Sequence, residues 1–283
     1  MTVPQIKLNN GVQIPQLGMG VFKMQNEAEF YQAFQWALEI GYRHFDTAAF
    51  YGNEQWLGAA IKKAGIDRKE LFITSKLWPT QFQEPEKAYQ QSLDRLGMDY
   101  LDLYLIHWPA PGFESAWSGM EKLYHDHQVR AIGVSNFLEK HLSAIAGPDK
   151  VTPAVDQLEI HPYFQRSDLL QHLQQQGIAV EAWGPLGQAR NGVFDEPVLK
   201  TIAQAHHKTV QQVILRWHLQ RQTIIFPKSI HQERLQQNFE VFDFELTASE
   251  MQQIAQLDKQ QPNGSNPADQ DFLDHVGDRP LPY

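Results

Sequence analysis

The chain contains no cysteine. Its absence excludes disulfides, thiolate metal sites and thiol nucleophiles, and fits a reducing cytosol. No uninterrupted apolar run approaches the ~20 residues of a membrane span. The opening segment, MTVPQIKLNN, lacks the basic stretch and apolar core of a signal peptide. A cytoplasmic protein with no membrane attachment is therefore expected. Positive charge is scarce as well. The formal net charge of -9 argues against a general nucleic-acid binder, although not against a small basic pocket. Glycine-rich phosphate loops are missing too. GMGVFK has two glycines of the dinucleotide fingerprint and then departs from it, and no G-x-x-x-x-G-K-[ST] occurs.

What the 283 residues do have is alternation. Short β-branched runs alternate with stretches of helical period. Counting from LGMGVF (17–22), the strand-like runs are YRHFDT, LFITSKL (71–77), LDLYLIHW (101–108), VRAIGVSN (129–136), AVDQLEI (154–160), IAVEAW (178–183) and TIIFPKS (223–229). Eight strands, each followed by a helical segment, imply a parallel sheet. At this length they predict a closed (β/α)8 TIM barrel in one domain spanning 1–283. IKLNNGVQIP reads as an N-terminal β-hairpin, within 1–16, that caps the barrel bottom. TASE (247–250) reads as a capping box opening one extra helix. The segment 260–283, rich in Pro, Asn, Gly and Asp, reads as an irregular tail near the active site.

In such a barrel, chemistry sits at the C-terminal strand ends. Strand two ends in Asp46, with Tyr51 in the loop that follows. Strand three ends in Lys76 and strand four in His107. Period-two alternation puts Phe72, Thr74 and Lys76 on one face, and Leu101, Leu103, Leu105 and His107 on one face. An ammonium at Lys76 would favour phenolate at Tyr51 and lower its pKa. Asp46 would keep that lysine charged, Tyr51 could donate a proton, and His107 could bond a substrate oxygen. Singly, each has a plain structural reading: a satisfied core histidine, a snorkelling lysine, a capping aspartate, a loop aromatic. Their fall at consecutive strand ends is what argues for chemistry.

FDTAAFYGNE, ITSKLW and LDLYLIHWP resemble the aldo-keto reductase family over almost the whole chain. GVFK, EAWGPLGQ and FPKS look most like its bacterial 2,5-diketo-D-gluconate reductase branch. The resemblance implies a catalytic tetrad of Asp46, Tyr51, Lys76 and His107, and reduction of aldehydes or ketones with NADPH, or more weakly NADH. It implies that the 4-pro-R hydride is transferred. Ser135, Asn136 and Gln157 would bond the nicotinamide carboxamide and Trp183 would stack on its ring. Gly184, Pro185, Leu186, Gly187 and Gln188 would follow the pyrophosphate, and Gly20 and Val21 would adjoin the cofactor. Lys228, Ser229 and Arg234 would hold the 2'-phosphate, with Asn238 against adenine. Phe22, Phe50, Trp78 and Trp108 are the candidate substrate-binding aromatics, and Phe272 of the tail could reach over them. No metal and no macromolecular partner are expected, and the protein should be a monomer.

Three positions depart from the family pattern. Asp156 stands where Asn is common, Val21 where Thr is frequent, and His231 where the branch can carry a further basic residue. Two rival readings are a barrel hydrolase built on Glu159 and Glu181, and a non-catalytic NADPH-binding redox sensor. Paired carboxylates about 5 Å apart would be needed for the first as a retaining glycosidase. A complete tetrad weighs against the second.

Overall fold

Apolar alternation and helical period resolve into the following order in the computed structural model, which describes residues 3–283. The hairpin is β1 (Gln5–Lys7) and β2 (Gln13–Pro15). The first units are β3 (Met19–Gly20), α1 (Glu27–Ile40), β4 (His44–Asp46), α2 (Glu54–Ala64), β5 (Phe72–Leu77) and α3 (Pro85–Leu96). Then come β6 (Leu101–Ile106), α4 (Phe113–His125), β7 (Val129–Ser135), α5 (Glu139–Ile145), β8 (Val155–Glu159) and α6 (Ser167–Gln175). The last units are β9 (Ala179–Trp183), α7 (Pro197–Ala205), α8 (Val210–Gln220), β10 (Thr223–Ile225), α9 (Gln232–Phe239), α10 (Ala248–Ala255) and α11 (Gln270–His275).

β3 to β10 form one eight-stranded parallel sheet in sequence order. It closes on itself through a parallel bridge between Leu17 and Ile225, with Gly18 N–H donating to Ile225 O at 2.9 Å and Ile225 N–H to Gln16 O at 3.0 Å. The fold is a (β/α)8 barrel. Helix starts follow local chemistry. Asn26 caps α1, and Thr247 and Glu250 form the capping box of α10. Gly133 on β7 is required by close approach: a Cβ there would lie 2.6 Å from Val155 O and 2.8 Å from Leu105 Cδ2.

The hairpin closes the barrel floor. Ile6 pairs with Ile14, and Leu8 and Ile14 join Phe72, Leu103, Leu105, Val155 and Ile224 in an inner apolar cluster. Leu101, the first residue of β6, is buried but groups with the larger core and not with this inner cluster. The inner cluster fills the bottom of the barrel, so polar side chains collect at the upper strand ends. The tail is less irregular than its composition suggests. It folds α11, capped by Asp269, and a 3-10 turn over Val276–Asp278. Among the described residues no helix is long and apolar enough to cross a membrane.

Candidate active site

Asp46 ends β4, and Lys76 lies one residue before the end of β5. Parallel register sets Asp46 opposite Thr74, and alternation turns Lys76 inward beside it. The chain then turns through a 3-10 helix over Ala49–Tyr51. Gly52 ends it at φ 68, a left-handed backbone that favours glycine. Buried Asn53 fixes this turn, donating to Val21 O at 2.9 Å and accepting from Thr47 Oγ1 at 2.9 Å. Tyr51 is thereby delivered to the lysine. Lys76 Nζ donates to Asp46 Oδ1 at 2.7 Å, to Thr47 O at 2.8 Å and to the Tyr51 hydroxyl at 3.3 Å.

The electrostatics correct one sequence expectation. Burial pushes the Tyr51 phenol above its ordinary value by more than the Lys76 charge brings it down, and Asp46 adds to the rise. Lys76 therefore does not leave Tyr51 more acidic than free tyrosine, because burial of the phenol outweighs the pull of the ammonium. Burial is also the largest single influence on Lys76 and opposes its charge, but Asp46 and Tyr51 together hold its pKa above the usual lysine range. His107 follows β6. Burial, then the Lys76 charge, hold its pKa well below that of free histidine, so the ring is neutral. Its Nδ1 is buried with no partner among the described residues. An orphaned buried N–H is costlier than an orphaned acceptor, so the proton belongs on Nε2, the nitrogen open to the cavity.

These groups border a cavity of about 640 Å3, within the usual range for small-molecule sites. Asp46, Tyr51 and His107 line it. Phe22, Phe50, Trp78 and Trp108 line it too, so all four candidate substrate aromatics meet there. Phe50 stacks on Trp78 at 3.9 Å, and Phe272 of α11 packs edge-on against Trp108 at 4.9 Å. At the other end, Ser135, Asn136, Gln157 and Trp183 line the wall. Asn136 adopts a left-handed backbone, φ 65, and accepts a hydrogen bond from Trp183 Nε1 at 2.8 Å, which fixes the indole. Gln157 donates its two amide hydrogens to Asp46 Oδ2 and Glu181 Oε2, at 2.9 and 2.8 Å, and its oxygen has no partner among the described residues.

The remaining candidates divide. Gly20, Gly184, Pro185, Leu186, Gln188 and Lys228 line the cavity. Val21 does not: its side chain is buried in the outer layer and its backbone bonds Asp46 and Asn53. Gly187 is buried behind the loop, where its carbonyl accepts from Asn263 at 2.8 Å. Ser229 braces the turn into α9 through His231 N–H at 3.1 Å, and Asn238 is buried on α9. Arg234 is exposed on α9, and His231 is exposed at its start. The hydrolase acids do not pair: Glu159 accepts backbone N–H groups of Asn263 and Gly264, while Glu181 bonds Gln157. Among the described residues no cluster of His, Asp and Glu is arranged to hold a metal.

Several cavity residues had no signal in the local pattern. Lys23, Arg190 and Arg279 line it, as do Asn263, Gly264 and Ser265 of the tail. The tail is tied down at several points. Trp78 Nε1 donates to Arg279 O at 2.9 Å, the Tyr283 hydroxyl donates to Ala49 O, and Asn263 bridges to the loop after β9. Gly264 lies so close to Trp183 that a Cβ would come within 2.4 Å of the indole. Only the proline, asparagine and glycine content hinted at such a strap.

A family model described as Aldo/keto reductase family matches residues 16–259. The chain belongs to the aldo-keto reductase family. It is an oxidoreductase, and the family uses NADP(H). Among its relatives, a glyoxal reductase of Bacillus subtilis (strain 168) is 45% identical over 265 residues, 93% of this chain and 95% of that protein. A methylglyoxal reductase, DkgA, of Escherichia coli (strain K12) is 43% identical over 265 residues, 93% of this chain and 96% of that one. An aldo-keto reductase of Bombyx mori, solved in complex with NADP, superposes with a TM-score of 0.86. It is 35% identical, covering 92% of this chain and 94% of the other.

Proposed function

We propose that the protein reduces small aldehydes and ketones to alcohols with NADPH, with Tyr51 as the proton donor. The Asp46–Lys76–Tyr51 hydrogen-bond chain, opening beside neutral His107 into an aromatic cavity, carries this reading. NADPH, when bound, supplies the hydride. His107 Nε2–H and the Tyr51 hydroxyl converge on a carbonyl oxygen. Tyr51 gives its proton as negative charge develops there, and Lys76 stabilises the phenolate that is left. Asp46 keeps the buried ammonium charged and aimed.

The amide oxygen of Gln157 and the fixed indole of Trp183 suit a carboxamide-bearing planar ring. Lys23, Lys228 and Arg190 form no ion pair among the described residues and give the other end of the cavity a local positive charge that suits phosphates. Burial holds Lys228 below the usual lysine pKa, with Glu29 opposing and Lys23 adding a smaller push in the same direction. The hairpin, barrel and tail act as one domain, with the tail closing the substrate end. Small 1,2-dicarbonyls such as methylglyoxal are the first substrates to try, given the relatives, and diketo-sugar acids the second. A carbonyl panel assayed with NADPH and NADH tests this. Turnover of reactive aldehydes supports the enzyme, and NADPH binding without any turnover would favour the redox sensor.

Cofactor choice has its own test. Arg234 is exposed, free of ion pairs among the described residues, and in the first turn of α9. A hydrogen bond to a charged group is worth roughly 1.5 to 3 kcal/mol, so Arg234→Ala should weaken NADPH about 10- to 150-fold. NADH lacks the 2'-phosphate and should change little. Titrating both cofactors decides: equal weakening would show that Arg234 supports the loop and does not read the phosphate.

A further inference from the structure

A second acid lies one hydrogen-bonded side chain away from Asp46. Glu181 sits in the middle of β9, fully buried, with Gln157 of β8 and Ile224 of β10 as its register partners. Its Oε2 accepts from Gln157 Nε2 at 2.8 Å, and its Oε1 has no partner among the described residues. The groups that face it are Asp46 of β4 and Lys76 of β5; Asp156, beside Gln157 on β8, is turned to the other face of the sheet, where it accepts from Phe137 N–H, and β10 brings no titratable side chain. The donors of Lys76 are already engaged by Asp46, Thr47 and Tyr51. The layer therefore holds one ammonium for two carboxyl groups, and an ionised Glu181 would be a buried charge without a counter-charge. Burial, then the Asp46 charge, push its pKa up to about 8, against smaller opposing pulls from Gln157 and Lys76.

Gln157, the sole bonded neighbour of this acid among the described residues, is itself on the cavity wall. Trp183 lies two residues further along the same strand as Glu181 and lines the same wall. An oxidised nicotinamide held there would bring the missing positive charge, and a reduced one would bring none. We propose that Glu181 is a specificity-determining residue for the oxidation state of the cofactor: protonated beside the neutral reduced ring, it ionises to balance the oxidised ring. It acts through Gln157 and touches no reacting atom. This role rests on the proposed function, because it needs the nicotinamide end of NADP(H) at this wall.

The sign follows from linkage. A cation beside a buried carboxyl favours its ionised form and lowers its pKa. Binding of NADP+ should then release a proton and tighten as pH rises through about 8. NADPH shares the phosphates, so the ratio of the two Kd values cancels their titration and that of any group facing them. We expect Kd(NADP+)/Kd(NADPH) to fall at least about fivefold between about pH 6 and about pH 9, since lowering a carboxyl pKa by about one on binding is worth about tenfold in affinity.

Equilibrium fluorescence titration of both nucleotides across this range is the test, on wild type, Glu181→Gln, Tyr51→Phe and Asp156→Asn. The ratio should be flat in Glu181→Gln and keep its slope in the other two. A slope that survives in Glu181→Gln, or vanishes in Tyr51→Phe or Asp156→Asn, overturns the proposal and assigns the titration elsewhere. Should Glu181→Gln fail to fold, calorimetry of wild type and Tyr51→Phe in two buffers of different ionisation enthalpy still decides. Proton release on binding NADP+ but not NADPH supports the role, and equal release with both overturns it. Failure of the underlying reading looks different: Tyr51→Phe would turn over normally, or wild type would bind neither nucleotide.

Discussion

Tyr51→Phe is expected to lower kcat at least about 100-fold, the scale of a general acid, while leaving the Kd of NADPH within about twofold. The substitution removes one oxygen. The ring keeps its packing against Phe22 at 4.8 Å and His107 at 5.6 Å, so the cavity wall is preserved. What is lost is the hydroxyl that Lys76 meets at 3.3 Å. His107 cannot replace it as an acid, because its neutral ring holds its remaining proton far too tightly. The wild-type pH profile should carry the same signature. A phenol raised above its ordinary value stays protonated through neutrality, so reduction should persist there and be lost only as pH climbs through the Tyr51 pKa. An acidic limb belonging to His107 near its ordinary pKa is not expected.

Lys76→Met should cost more, at least about 1000-fold in kcat, because it removes the cation that is hydrogen-bonded to the Tyr51 oxygen and would stabilise the phenolate. It also breaks a buried ion pair. Asp46 would be left with only the Gln157 hydrogen bond, and removing one partner of such a pair costs about 3 to 5 kcal/mol. The two effects can be separated. Lys76→Met combined with Asp46→Asn should recover much of the thermal stability and none of the activity. If the double variant recovers both, Lys76 is a structural support for the strand end and the chemistry lies elsewhere.

Much of this site is legible in the sequence because strand ends are periodic. Asp46, Lys76 and His107 follow short apolar runs with fixed inward parity, so the side of the sheet can be counted. Trp78 directly follows β5 with the parity of Lys76 and inherits that register, whereas Trp108 lies past the end of β6 with the opposite parity to His107 and reaches the cavity through the loop. Val21 is placed at the cofactor by the family resemblance alone; it follows a two-residue strand, too short for alternation to show that its side chain turns into the core. The tail is hidden for another reason. Several of its contacts are made by its backbone carbonyls and N–H groups: Arg279 O takes Trp78, and Glu159 takes the N–H groups of Asn263 and Gly264. Such bonds leave no pattern of side-chain types. The ionisation of Tyr51 escapes a pairwise view of Lys76 and Tyr51 because that view omits burial, which outweighs the lysine. Glu181 stands out in the sequence only as a candidate hydrolase acid. Its real surroundings depend on Gln157, 24 residues away, which in turn bonds Asp46, a further 111 residues away.

The central claim is that this chain moves a hydride from a nicotinamide onto a small carbonyl. Single-turnover reduction of methylglyoxal with NADPH deuterated at the 4-pro-R position, read by mass spectrometry of the alcohol, tests it most directly. With Trp183 proposed to cover one face of the ring and Tyr51 to lie beyond the other, in the orientation the family resemblance implies, the alcohol should carry one deuterium. An unlabelled alcohol, formed with the deuterium left on the cofactor, would mean that the ring binds the other way over; no alcohol at all from any reactive aldehyde would contradict the account outright.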